Sequence, residues 1–238
     1  RIARAHCCFH IFMNLRCEFR HTKIRLPIET LPNFAKRFFI KFSELFQTID
    51  FLANFHFIER LGSTTKIDLI YVTKELSTEM ANKRFRESSK ATEALVINNY
   101  LQWDFPDGNL INYRASLIQH LKELQNKYDL ILCPAPNDKT ADHAVLAEVA
   151  YTHTPLNKLL WYRSTWLTFP LRDADFVVEG GASKKRAALR HYKTQSKLAL
   201  QNVVSLSTLE ARFCGYHADS VEGFRYASSG LINRKSVV

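Results

Sequence analysis

His143 and its neighbour Asp142, in the string Thr140-Ala-Asp-His143, are the residues of this chain whose types and position best suit chemistry. An imidazole ligates metals or moves protons, and an adjacent carboxylate orients a ring or takes a proton. Both follow a loop, Asn137 to Thr140, and precede Val145, Leu146, Val149 and Ala150, which recur at helical spacing. That places Asp142 and His143 in the first turn of a helix, where a histidine also serves as an ordinary cap or surface residue.

The element ahead of that loop decides how the pair is presented. Tyr128 to Cys133 is a short apolar run closed by Pro134 and Pro136, the pattern of a strand buried on both faces. In open parallel sheets ligands collect at the carboxyl ends of strands, beside helix N-termini. Upstream, Ile67 to Thr73 reads as a central strand, Glu79 to Leu95 as a polar helix and Asn99 to Trp103 as a second strand. Pro106-Asp107-Gly108 is a turn, and Leu110 to Lys127 is an amphipathic helix. From Asn33 to Leu61, residues such as Phe34, Phe38, Phe42, Phe46, Ile49 and Phe57 approximate a helical stripe, so one long helix or two is expected there. Downstream, Leu159 to Trp166 and Phe176 to Glu179 are short strand candidates, and Lys184 to Leu198 is a basic helix. Strands alternating with helices predict an α/β, Rossmann-like fold with a mostly parallel sheet and helices on both faces.

With 238 residues the chain is long enough for one sizeable core, and 46% hydrophobic with 24% charged residues is a globular composition. The formal net charge of +10 favours anionic partners. Charge aside, nothing indicates nucleic acid, which is not the expected partner. The five cysteines are scattered without a Cys-x-x-Cys pair, which suits a reducing compartment and hence the cytoplasm. Charges interrupt the most apolar region, so no transmembrane segment is expected. His6, Cys7, Cys8, His10, Cys17 and His21 include pairs at helical spacing that would suit a structural zinc, though they match no standard finger.

Several separated stretches, in order, resemble the LmbE-like and PIG-L-like family of zinc-dependent N-acetylglucosaminyl de-N-acetylases. They are Ile67-Asp-Leu-Ile-Tyr-Val-Thr73, Arg84-Phe-Arg-Glu87, Asp104-Phe-Pro-Asp-Gly-Asn-Leu110 and Pro134 to His143. Lys185-x-x-Ala188-x-x-x-Tyr192-x-x-Gln195 and the stretch from Gly215 through Val221-Glu-Gly-Phe224 complete the set. In that family a histidine and an aspartate of an N-terminal Ala-His-Pro-Asp-Asp-Glu-like motif and the last histidine of a His-x-Asp-His-like motif hold the metal. The resemblance therefore implies His143 as a metal ligand, Asp142 in the catalytic site, and Arg86, Asp107 and Thr140 as substrate-binding residues. Thr140 stands where the second motif has its first histidine, and no Pro-Asp-Asp occurs anywhere in the chain.

The resemblance implies zinc as cofactor and an N-acetylated amino-sugar conjugate as partner. It points to metal-assisted amide hydrolysis of N-acetylglucosamine conjugates, carried out by this chain or by the enzymes it descends from. A non-catalytic sugar- or anion-binding protein is the alternative. Residues 1–50 are expected to be a divergent, poorly specified segment, 51–228 the LmbE-like α/β domain and 229–238 a tail.

Overall fold

The computed structural model describes residues 37–42, 47–62, 65–93, 95, 97–164, 168–198 and 200–229. The N-terminal histidine and cysteine set, and the tail beyond Ser229, lie outside these residues.

Seven strands among the described residues form one sheet: β1 (Arg37–Phe42), β2 (Lys66–Lys74), β3 (Asn99–Pro106), β4 (Leu130–Pro134), β5 (Leu159–Tyr162), β6 (Phe176–Gly180) and β7 (Ser220–Tyr226). Their spatial order is β3-β2-β1-β4-β5-β7-β6. The first five run parallel, while β7 is antiparallel to both β5 and β6. The parallel part follows the Rossmann strand order 3-2-1-4-5, which reverses between β1 and β4, and in such sheets ligands bind at the carboxyl ends of the strands beside that reversal.

Helices α1 (Gln47–Leu61), α2 (Thr78–Thr92), α3 (Arg114–Gln125), α4 (Ala141–His153), α5 (Ala182–Leu189) and α6 (Leu200–Phe213) cover the sheet. Leu69, Tyr71, Leu132, Leu160 and Phe224 point to one face, where they pack with Phe57 of α1, Ala91 of α2, Leu189 of α5 and Val204 of α6. Ile70, Val72, Ile131, Cys133 and Trp161 point to the other and meet Leu117 and Leu121 of α3 with Leu146 and Val149 of α4. This alternation is the two-residue period of a strand buried on both sides. Every residue of β4 is buried, as its uninterrupted apolar run predicts.

Two expectations change. The stretch expected to be helical from Asn33 to Leu61 contains a strand, β1, before α1 begins. Aromatic residues at spacings of four satisfy a helical period, but they also suit strands, and pairing with β2 and β4 on either side decides for extended backbone. The boundary expected at residue 50 consequently falls inside α1, and the α/β unit already includes residue 37. The basic segment Lys184 to Leu198 is broken: α5 ends at Leu189 and a 3-10 stretch, Lys193–Leu198, follows.

Candidate site at the carboxyl edge of the sheet

The loop after β4 turns back on itself through Asp138. Its Oδ1 accepts a 2.8 Å hydrogen bond from the Thr140 backbone N–H, a local turn that fixes where α4 starts. Thr140 is the N-cap, with extended φ −80° and ψ 123°. Oδ2 of Asp138 stands 3.1 Å from Nδ1 of His143, and both side chains are fully buried. Burial works to raise the Asp138 pKa, but the hydrogen bond and charge of His143, with hydrogen bonds from Ser164 and the Thr140 N–H, hold it below the usual carboxylate range. A carboxylate so held fixes the tautomer and orientation of the ring beside it.

Asp142, expected in the catalytic site, has both carboxylate oxygens engaged by backbone N–H groups. Its Oδ2 accepts from the Gly108 N–H at 2.7 Å and its Oδ1 from the Leu110 N–H at 3.0 Å. The carboxylate is buried and turned onto the backbone of the Pro106-Asp107-Gly108 turn, where Gly108 adopts φ +76°. Only glycine takes that left-handed conformation at no steric cost. Asp107 is tied from the other side, since its Oδ1 accepts from the Thr73 hydroxyl at 3.0 Å and its N–H donates to the Lys74 carbonyl at 3.0 Å. The turn after β3 is thus stapled to β2 and to the first turn of α4, which brings Asp107, Thr140 and His143 to one edge.

Arg86 does not join them. It is exposed on α2, its Nε donates to the Asn82 carbonyl at 3.2 Å, and it faces a groove shared with His191 and Lys193. Arg84 is the arginine of α2 turned towards the strand ends: its guanidinium lies 2.8 Å from Glu75, the residue after β2. Residues two positions apart in a helix lie about 200° apart around the axis at 3.6 residues per turn, so these arginines serve opposite faces.

After β5, Arg163 makes a bidentate pair with Glu210 at 2.7 Å, and Ser164 is buried. A cavity of about 70 Å³ adjoins them and reaches the buried pair Lys185–Glu222 at 2.7 Å. Asp138, Arg84 and Ser164 are the edge residues that sequence reading passed over. The signal for Asp138 was its place in a strand-end loop, and that for Arg84 was its position as the first residue of the Arg-x-x-Glu string.

The donors among the described residues do not make up the zinc site that the resemblance implies. A catalytic zinc takes three protein ligands, whereas no three His, Cys, Asp or Glu side chains converge on such a site among the described residues. His143 with Asp138 supplies one oriented imidazole. From the end of β1 into the first turn of α1, residues 43–50 read Ser-Glu-Leu-Phe-Gln-Thr-Ile-Asp, without a histidine.

Residues 59–153 match the sequence profile of the GlcNAc-PI de-N-acetylase family, PIG-L. No protein of curated function matches the chain by sequence. Among solved structures, the N,N'-diacetylchitobiose deacetylase of Pyrococcus horikoshii is similar with a TM-score of 0.64 at 14% identity, over 86% of this chain and 89% of that one. A deacetylase of the antimicrobial pseudoaglycone A40926 is similar with a TM-score of 0.59 at 15% identity, over 81% of this chain and 98% of that one. The 4-carboxy-2-hydroxymuconate hydratase of Pseudomonas putida is similar with a TM-score of 0.57 at 15% identity, over 80% and 95%. At such identities the likeness is one of fold, and the fold carries deacetylases and a hydratase alike.

Proposed function

We propose, for a chain whose residues 59–153 place it with the PIG-L and LmbE-like de-N-acetylases, that its carboxyl-edge cleft binds an N-acetylated amino-sugar conjugate. The observation that supports this reading is that Asp142 holds the Asp107-Gly108 turn to the first turn of α4, beside Thr140 and the Asp138-held His143, at the end of the sheet where the strand order reverses. In this reading Asp107 and Thr140 face sugar hydroxyls, His143 is the inherited ligand position, and Asp142 acts by holding the Asp107 turn. The inherited reaction is metal-assisted hydrolysis of the N-acetyl group of an N-acetylglucosamine conjugate, leaving amine and acetate. Such hydrolysis needs an activated water, a base and an oxyanion donor.

A second reading, binding without turnover, is favoured by the donor set, which supplies one recognisable ligand of three among the described residues. No helix among those residues is long and apolar enough to cross a membrane, and the odd, scattered cysteines support the cytoplasm as the compartment.

Calorimetric titration of the full chain with an aryl N-acetylglucosaminide, paired with an acetate-release assay, tests both readings. Saturable binding that weakens in Asp107→Ala, with no acetate formed, supports the binding protein. Acetate release that disappears in His143→Ala supports the hydrolase. Absence of saturable binding and of acetate release overturns the sugar site itself.

A further inference from the structure

The outer face of α2 carries a feature that the carboxyl-edge cleft does not use. Lys83, Arg86 and Lys90 follow one another at spacings of three and four, so they lie along one face and span about 10 Å at 1.5 Å rise per residue. With His191 and Lys193, contributed by the segment between α5 and Lys193–Leu198, they line an open groove of about 480 Å³. That size lies in the range of small-molecule sites.

The charges in this groove are poorly matched by the protein. Among the described residues Lys83, Arg86, Lys90 and Lys193 make no ion pair, and the bond of Arg86 Nε goes to a carbonyl of its own helix. With His191 aside, the lining holds four cationic side chains against two carboxylates, so the groove keeps a positive balance that an anion can meet. Glu87 is buried, and its oxygens accept from the Thr194 N–H at 3.0 and 3.2 Å and from the Thr194 hydroxyl at 2.5 Å. It thereby fixes the wall opposite α2 rather than neutralising a lysine. Glu79 sits in the first turn of α2, where the helix dipole favours a negative charge.

We propose that this groove is a second ligand site, for a small organic molecule carrying two phosphate groups about 10 Å apart. The lining contains no aromatic ring apart from His191 and no aliphatic side chain, so recognition is by charge. Single-stranded nucleic acid binding relies on aromatic stacking platforms, which this groove lacks. The site is independent of the sugar cleft, because Arg84 and Arg86 serve opposite faces of α2.

The test is calorimetric titration of the full chain at physiological salt with fructose 1,6-bisphosphate, inorganic phosphate, a single-stranded oligonucleotide and vesicles containing anionic lipid. The bisphosphate should bind saturably and more tightly than inorganic phosphate. The double variant Lys83→Gln and Lys90→Gln should lose about tenfold or more in affinity, since each removes a charge-assisted contact. A control with the same charge change elsewhere, Lys127→Gln and Lys139→Gln, should bind as the unaltered chain does. All four lysines are exposed, so the variants should fold. Equal loss in the control, equal affinity for phosphate and bisphosphate, or no saturable bisphosphate binding would each overturn the proposal. So would oligonucleotide or vesicle binding that is tighter than bisphosphate binding and lost in the groove variant. Because the probes contain no acetamido sugar, failure here leaves the sugar-site reading standing, and the reverse holds too.

Discussion

Asp138 decides whether His143 has a defined orientation, since one of its oxygens meets the imidazole and the other ties down the start of α4. Removing one partner from a buried, hydrogen-bonded charge pair leaves the other unsatisfied. Asp138→Ala should therefore cost about 3 kcal/mol, read as a lower urea midpoint with an unchanged m-value. His56 is a second buried imidazole, in α1. Burial is the largest influence on it and, with the charge of Lys185, lowers its pKa below 6.5 against the opposing pull of Glu222 and Glu59. The folded chain then keeps the ring neutral at a pH where the unfolded chain takes up a proton. Stability is full above the unfolded value and falls as pH drops through it, with a slope approaching about 1.4 kcal/mol per pH unit. Urea midpoints measured at about pH 7.5 and about pH 5.5 should show this fall, and His56→Gln should flatten it. At this scale the place of His143 in the first turn of a helix and of Asp107 in a turn were legible from type and spacing. Asp138 was not, because an aspartate in a loop reads as a turn residue until its partner is seen. Choosing between Arg84 and Arg86 required the rotation of α2 about its axis, which no local pattern contains.

At the scale of elements, α1 crosses close over the end of β6. A Cβ built on Gly180 would lie 2.2 Å from Nδ1 of His56, so glycine is required here by close approach rather than by backbone angle. Gly180→Ala should cost about 2 kcal/mol by overpacking, and adding His56→Ala should recover part of that loss, the non-additivity expected of neighbours. On the same side, Glu222 of β7 accepts the His56 and Phe57 N–H groups at 2.9 and 3.0 Å and the Lys185 ammonium at 2.7 Å. Lys185→Met strands a buried carboxylate and should destabilise by about 3 kcal/mol, whereas Lys184→Met, at an exposed pair, should change the midpoint little. Helix and strand patterns for β2, β4 and α4 were legible because each obeys one period. β1 was not, since its phenylalanines fit two periods, and α6 with β7 had no pattern strong enough to mark them.

For the molecule as a whole, the strand order and the absence of a histidine in residues 43–50 say where donors could be added. β1 already occupies the centre of the sheet, so a graft need only span residues 43–50 rather than the whole N-terminal segment. Replacing those residues with a relative's His-Pro-Asp-Asp loop should introduce stoichiometric zinc, measured by atomic absorption. It should also introduce acetate release from an N-acetylglucosamine conjugate. The same graft carrying His143→Ala should release none. General-base catalysis alone is worth about a hundred- to ten-thousand-fold, so the difference is well within an assay's range. A graft that holds zinc without releasing acetate would place the fault in Thr140 or the cleft.

The sequence by itself determined the fold class, the alternation of strands and helices from β2 to α4, and the position of His143 in the first turn of α4. These follow from apolar periodicity and turn chemistry, which act over a few residues and leave their mark in local order. The tertiary structure decided that β1 is a strand, that Asp138 rather than Asp142 faces His143, and that Asp142 instead braces the Asp107 turn across a separation of more than thirty residues. It also decided which α2 arginine faces the strand ends and which faces the basic groove. Each of these depends on what a side chain or a backbone edge meets after the chain has folded, and pairing across the sheet outweighs local preference wherever a segment fits two periods equally well.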